Sequence, residues 1–275
     1  MQSERGAVAA CVHGDKLYAV GGHDGSSYLN TVECYDFKAK SWSYIAPMQS
    51  KRGGAAACVH GDKLYAVGGY DGSSDLNTGE CYDFKAKSWS YIAPMQSKRG
   101  GVAACVHGDK LYAVGGTDRS SKLNTVECYD FKAKSWSYIA PMQSKRYGVA
   151  ACVHGDKLYA VGGYDGSSKL NTVECYDFKA KSWSYIAPMQ SKRDAVAACV
   201  HGDKLYAVGG YDGSSSLNTV ECYDFKAKSW SYIAPIQSKR HFLAACVHGD
   251  KLHVVGGCDG KSRMNTVESL LLRAI

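Results

Sequence analysis

Residues 11–17, Cys11-Val-His-Gly-Asp-Lys-Leu17, recur at Cys58, Cys105, Cys152, Cys199 and Cys246. Each step is 47 residues, so copies begin at Met1, Met48, Met95, Met142, Met189 and Ile236. Five are complete, spanning 1–47, 48–94, 95–141, 142–188 and 189–235; the sixth, 236–275, stops after 40 of the 47 positions. Copies four and five match at 44 of 47 positions. The scattered exchanges at Gly79, Arg119 and Cys258 read as drift after tandem duplication rather than as clean design. A period of this length is the signature of a stacked or radial repeat architecture.

Within one copy, four strand-length runs alternate with turn residues: Ala7 to Val12, Lys16 to Gly22, Thr31 to Phe37 and Ser41 to Ala46. Each is rich in β-branched or aromatic residues, and no window has a helical period. The runs, a to d, predict a four-stranded antiparallel unit repeated six times, which is a propeller blade pattern. Strand a carries the small Ala9-Ala10-Cys11, which suits a crowded axis. The sixth copy lacks the Ser-Trp-Ser-Tyr-Ile-Ala-Pro of strand d, so 23 strands are expected, and Met1 is read as opening strand a with no earlier segment to supply a twenty-fourth. Leu270 and Leu272 stand in the places of Tyr35 and Phe37, and Leu271 in that of Asp36. An unpaired apolar edge over 267–275 follows, with weak self-association there in an otherwise monomeric chain.

Gly21-Gly22, then Tyr35 and Trp42, together with Gly-Gly-Tyr-Asp-Gly at 68–72, resemble the kelch repeat. The likeness covers the whole chain and is strongest to the kelch domains of Kelch-like ubiquitin-ligase adaptors, whose BTB and BACK domains the chain does not contain. The resemblance implies a single all-β, six-bladed kelch propeller over 1–275, acting as a protein–protein interaction module. In that family the loops around the pore mouth grip acidic peptide segments. A WD-repeat propeller fits less well, because no Trp-Asp dipeptide is present and the period is long.

The composition is that of a soluble protein: 45% hydrophobic and 21% charged residues, with no apolar run long enough to span a membrane. The N-terminus lacks the apolar core of a signal peptide, which points to the cytoplasm. A net charge of +7 slightly favours acidic partners and is too weak to argue for nucleic acid. Of twelve cysteines, eleven repeat the positions of Cys11 and Cys34. An intervening strand would hold those two roughly 9–10 Å apart, beyond the roughly 7 Å Cα limit for a disulfide. They read as reduced core residues, and no cofactor is expected. His23, His241 and Cys258 fall in like positions of adjoining blades and form a weak metal candidate without a known signature.

The b–c and d–a loops emerge on one face, the a–b and c–d loops on the other. Three positions carry at least three residue types among the complete copies, and all lie on the first face. One column is Gly6, Gly53, Gly100, Tyr147 and Asp194, continued by His241. The second is His23, Tyr70, Thr117, Tyr164 and Tyr211. The third is Tyr28, Asp75, Lys122, Lys169 and Ser216, continued by Arg263. The opposite loops, His-Gly-Asp and Lys-Ala-Lys-Ser, also read as exposed yet do not vary, so variation on the first face is read as binding rather than drift. The same face is expected to present Arg5, Arg52, Arg99, Arg146, Arg193 and Arg240 as forks for ligand carboxylates. The alternative for each is pairing with a loop carboxylate such as Asp24 or Asp71. Two other functions compete with the binding module. One is a ligand-free near-symmetric scaffold, which near-identical copies favour; the other, remote, is a galactose-oxidase-like enzyme, which would need unique ligands where this chain has repeated ones.

Overall fold

In the first blade, β1 (Ala9–His13), β2 (Lys16–Val20), β3 (Val32–Asp36) and β4 (Ser41–Ile45) pair in sequence order, all antiparallel. The computed structural model describes residues 1–272. Across them the pattern repeats to give five four-stranded sheets and one three-stranded sheet, a six-bladed propeller of 23 described strands. The last blade consists of β21 (Ala244–His248), β22 (Lys251–Val255) and β23 (Val267–Leu271). Strand bounds fall within two or three residues of those read from the sequence, with one displacement of substance. Strand a begins at Ala9, and Met1 to Arg5 form the connection onto the blade rather than opening it. Residues 273–275, the end of the expected 267–275 edge, lie outside the described residues.

The six a strands line the axis, which narrows to a cavity of about 70 Å³ between Val8, Ala55, Val102, Val149, Val196 and Leu243. Small side chains are needed where six strands converge, and the Ala-Ala-Cys of each a strand supplies them. Cys11 pairs with Tyr18, and Tyr18 in turn with Cys34, so β2 separates the two cysteines as expected; all twelve cysteines are free. Burial pushes the strand-a thiols up, that of Cys58 to about 12.

Blades pack face to face through aromatic residues. Between the first two, Tyr18, Val32, Met48, Tyr82 and Trp89 share one apolar cluster, and equivalent clusters follow around the ring. Blades six and one meet over Val8, Leu17, Ala19, Ala244, Cys246 and Val255. There the Met1 amino group donates to the Asn265 carbonyl (2.8 Å) and Arg5 N–H to that of Met264 (3.0 Å). Among the described residues, closure therefore rests on face packing plus this strap.

The six arginines correct the expectation that they face a ligand. Arg240 is 1% exposed and the other five are 0%. Arg5 shows the arrangement: Nη1 donates to the carbonyls of Gly21 (2.7 Å) and Thr31 (2.9 Å), Nη2 to Thr31 Oγ1 (2.9 Å), and Nε to Glu33 Oε1 (3.1 Å). Its partner is the strand-c glutamate, not Asp24 or Asp71. Those aspartates instead fold their own loops, Asp24 by accepting from the N–H groups of Ser26 and Ser27. Glu33 is also wholly buried and accepts two further bonds, from the N–H groups of Gln2 (2.5 Å) and Ser3 (3.0 Å). A buried charge must be paired and its lone pairs satisfied, and here both conditions are met inside one blade.

The backbone of the same arginine reaches the neighbouring blade. Gly22 N–H donates to the Arg52 carbonyl at 2.8 Å. Gly21, with φ of 60°, lies so close to that carbonyl that a Cβ would collide with it. The Gly-Gly pair thus permits the close approach that joins consecutive blades.

We expect Arg146→Met to destabilise the chain by about 3–5 kcal/mol, because it leaves Glu174 buried and unpaired. Adding Glu174→Leu should recover only part of the loss, since the N–H groups of Gln143 and Ser144 lose their acceptor. Urea unfolding of the single and double variants measures both; full recovery in the double variant would show that the glutamate does not hold the connection.

Candidate functional site

Short bridges bring the three variable columns together on every blade: Gly6 pairs with His23 and His23 with Tyr28, and likewise around the ring. These triplets surround a depression of about 860 Å³ over the axial constriction. All eighteen positions line it except Ser216, which turns aside to hydrogen-bond His241 Nδ1 (2.8 Å). Five lining residues, Ala7, Gly54, Gly101, Arg119 and Phe242, lie outside the columns that the sequence singles out. Arg119 replaces the loop glycine of its copy, and that single exchange was the signal for it; it is exposed, with φ of 71°.

The third column reaches from one blade to the next. Lys122 Nζ lies 4.5 Å from the centroid of Tyr147 in the next blade, and Lys169 Nζ 5.7 Å from that of Tyr211 in the next blade and 4.0 Å from that of Tyr164 in its own, within cation–π range. Lys169 also pairs with Asp194 (2.6 Å), and Tyr28 packs edge-on against Tyr70 at 5.0 Å. Arg119 Nη2 donates to the Tyr70 hydroxyl (2.8 Å). The lining holds the cations Arg119, Lys122, Lys169 and Arg263 against two buried carboxylates, Asp75 and Asp194. Burial, and then the charges of Asp194 and Asp75, pushes the Tyr147 hydroxyl up to about 12, so it serves as a neutral hydrogen-bonding group. The mouth is therefore aromatic, cationic and rich in donors.

His23, His241 and Cys258 do not assemble a metal site. His241 and Cys258 are bridged through their backbones, His23 Nδ1 accepts from Gly25 N–H, and among the described residues no three such side chains are placed to hold an ion. The opposite face is also less free than its sequence implied. His13 stacks flat on Phe84 of the next blade (4.2 Å, 4°), and four of the other five turn histidines stack likewise on a phenylalanine. Lys38 of the c–d turn bonds Asp15 of the a–b turn at 2.6 Å. Contacts within and between blades thus account for the constancy of those loops, and that constancy no longer argues for binding at the mouth.

Comparison with known proteins fits this architecture. The KLHDC2/KLHL20/DRC7 Kelch-repeats domain matches residues 94–257, more than half of the chain, and the Kelch motif matches 4–49 and 51–96. The chain belongs to the kelch-repeat family. Human Kelch-like protein 4 is 57% identical over 44 residues, 16% of this chain and 6% of that protein; human Kelch-like protein 5 is 66% identical over 32 residues, 12% and 4% of the respective lengths. The aligned segments thus span only a small part of those relatives. The solved structure of YjhT superposes with a TM-score of 0.85 at 17% identity, over 97% of this chain and 94% of that one, which shows a common fold. Among the described residues no helix is long and apolar enough to cross a membrane.

Asp75 supplies a test of the site's electrostatics. Its Oδ2 is buried without a partner, and burial raises its pKa above the usual 3.8. A raised carboxyl pKa disfavours the charged folded form, so the cost is present above the folded pKa and disappears as pH falls through it. Asp75→Asn should stabilise the kelch propeller by about 1 kcal/mol at pH 7. The gain should shrink on acidification, as followed by thermal melts across the carboxyl range.

Proposed function

We propose that the mouth is a protein-interaction site that takes an acidic peptide or protein segment, and that the protein is a binding module and not an enzyme. The observation that carries this reading is the concentration of Arg119, Lys122, Lys169 and Arg263 among tyrosines in one open depression. Exposed cationic forks and tyrosine faces suit carboxylates carried on an extended chain. The arginine ring contributes nothing directly, since all six side chains are buried and paired with glutamates within the blades. A cytoplasmic, mainly monomeric protein is the setting that accords with the reduced cysteines, and adaptor function would require partners for regions other than this propeller. The near-identity of the copies favours a second reading, a scaffold with no ligand, because an asymmetric ligand is best held by differentiated blades.

A fluorescent Asp/Glu-rich decapeptide separates the two. Binding should weaken with salt, as screened charge pairs do, and the double variant Arg119→Ala/Lys122→Ala should lose about tenfold in affinity, or about 1.4 kcal/mol. Lys38→Ala on the opposite face should change nothing. Equal binding of a Lys-rich decapeptide would overturn the acidic reading, and no saturable binding of either would favour the scaffold.

A further inference from the structure

We propose that the axial cavity beneath the mouth is a subsite for one aliphatic side chain, so that the segment recognised is acidic with a leucine-sized residue at its centre. This rests on the reading of the mouth as a site for acidic segments and adds the residue that sets their position in it.

Mouth and cavity are continuous: Ala7, Gly54, Gly101 and Phe242 line both. Below them the walls are Val8, Ala55, Val102, Val149, Val196 and Leu243, all apolar and buried. Between the two lies a collar of backbone. Ala7 N–H donates to the Phe242 carbonyl (2.8 Å), Gly54 to Ala7 (2.8 Å), Gly101 to Gly54 (2.9 Å), Gly148 to Gly101 (3.0 Å) and Phe242 to Ala195 (2.9 Å). Five of the six amides thus bond one another, and no side chain of the walls carries a polar atom. An apolar cavity of this kind stays dry and takes apolar guests. At about 70 Å³ it is roughly half the size of one that holds benzene, which selects an aliphatic side chain over a ring.

The collar is not symmetric. Its six residues, Ala7, Gly54, Gly101, Gly148, Ala195 and Phe242, all have φ between 50° and 63°. Glycine or alanine meets that demand in five copies. A phenylalanine there is strained, and strain of this kind collects at functional sites. Phe242 stands half-buried as the wall on blade six. Opposite it, the Tyr147 ring leans so close over Gly101 that a Cβ would collide with it. Gly148 and Ala195 are buried, whereas Ala7, Gly54 and Gly101 keep part of their surface open. The cavity is also widest under that opening, because Ala55 stands where four copies have valine and the sixth has leucine.

Charge lies beside this opening. Arg119 of blade three reaches onto blade two, the blade of Gly54 and Ala55, through its bond to the Tyr70 hydroxyl. A matching segment would set carboxylates on Arg119 and Lys122 and send an aliphatic side chain from the same stretch down past Gly54 toward Ala55. Burying that side chain adds affinity through removal of apolar surface from water. The carboxylates supply the part that salt screens. The two contributions can therefore be measured apart.

The test titrates the full chain into three capped fluorescent peptides of equal length. One is Asp/Glu-rich with leucine at its centre, the second has serine there, and the third is Asn/Gln-rich around leucine. The acidic leucine peptide should bind about tenfold tighter than its serine counterpart, with little change in that ratio as salt is added. Two substitutions that reshape the cavity are already carried at equivalent positions of the chain: Phe242→Gly, as in blades two to four, and Ala55→Val, as in blades one, three, four and five. Each should lower the leucine-to-serine ratio severalfold, while the variant's own melt confirms that it is folded. Equal binding of the two acidic peptides would overturn the proposal and leave the acidic reading standing. A ratio that survives both substitutions would overturn it too, by seating the leucine elsewhere. Equal binding of the neutral and acidic leucine peptides would uphold the cavity and overturn the acidic reading instead, and no saturable binding of any peptide would overturn both.

Discussion

The buried arginine–glutamate pair is the joint on which the ring depends. Each arginine spends its side chain inside its own blade, tying the ends of strands b and c together. Its carbonyl goes to the glycine pair of the blade before it. Each glutamate takes that guanidinium and two backbone N–H groups of the incoming connection. One ion pair therefore fixes where the chain enters a blade, how strands b and c end, and how far the next blade stands. Desolvating it is expensive, and the network around it, satisfied in the first five copies and short of one bond at Arg240 Nε in the sixth, offsets that expense. Aromatic packing between blades contributes more area, but it acts between surfaces that the joint has already placed.

The same joint explains why the mouth is free to differ. The variable residues follow the arginine and the glycine pair directly, at positions 6 and 23 of each copy, and position 28 lies across the loop. Their backbone is held from beneath, so the joint does not depend on their side chains, which can be tyrosine, lysine, aspartate or glycine in turn. The opposite face has the reverse character. Its histidines stack on phenylalanines of the next blade and its lysines and aspartates pair locally, so exposure in sequence terms conceals real contacts.

Much of this was legible in the residues. The 47-residue period, the four strand-length runs, the missing strand d and the one-faced variation all followed from counting and alternation. The arginines did not, because an arginine beside a lysine in a loop reads as surface. The corrective signal was present: Glu33, Glu80, Glu127, Glu174, Glu221 and Glu268 hold one position of strand c in every copy, between apolar neighbours. A carboxylate that recurs at such a position demands a partner, and the arginine, repeated with it in every copy, offers five donors on a planar fork. Arg119 was passed over for the opposite reason. A single departure among near-identical copies looks like noise until the fold shows that it overhangs the mouth.

Near-identity joined to a variable mouth has a consequence for how such a protein can change. Because copies three to five share their framework, exchanging their places in the chain would leave every joint and every face packed between blades as it was. Only the cyclic order of side chains around the rim would differ: a lysine beside an aspartate could become a lysine beside a tyrosine. Reshuffling whole units thus permutes a recognition surface without a single new residue, and diversity can come from arrangement as well as from substitution.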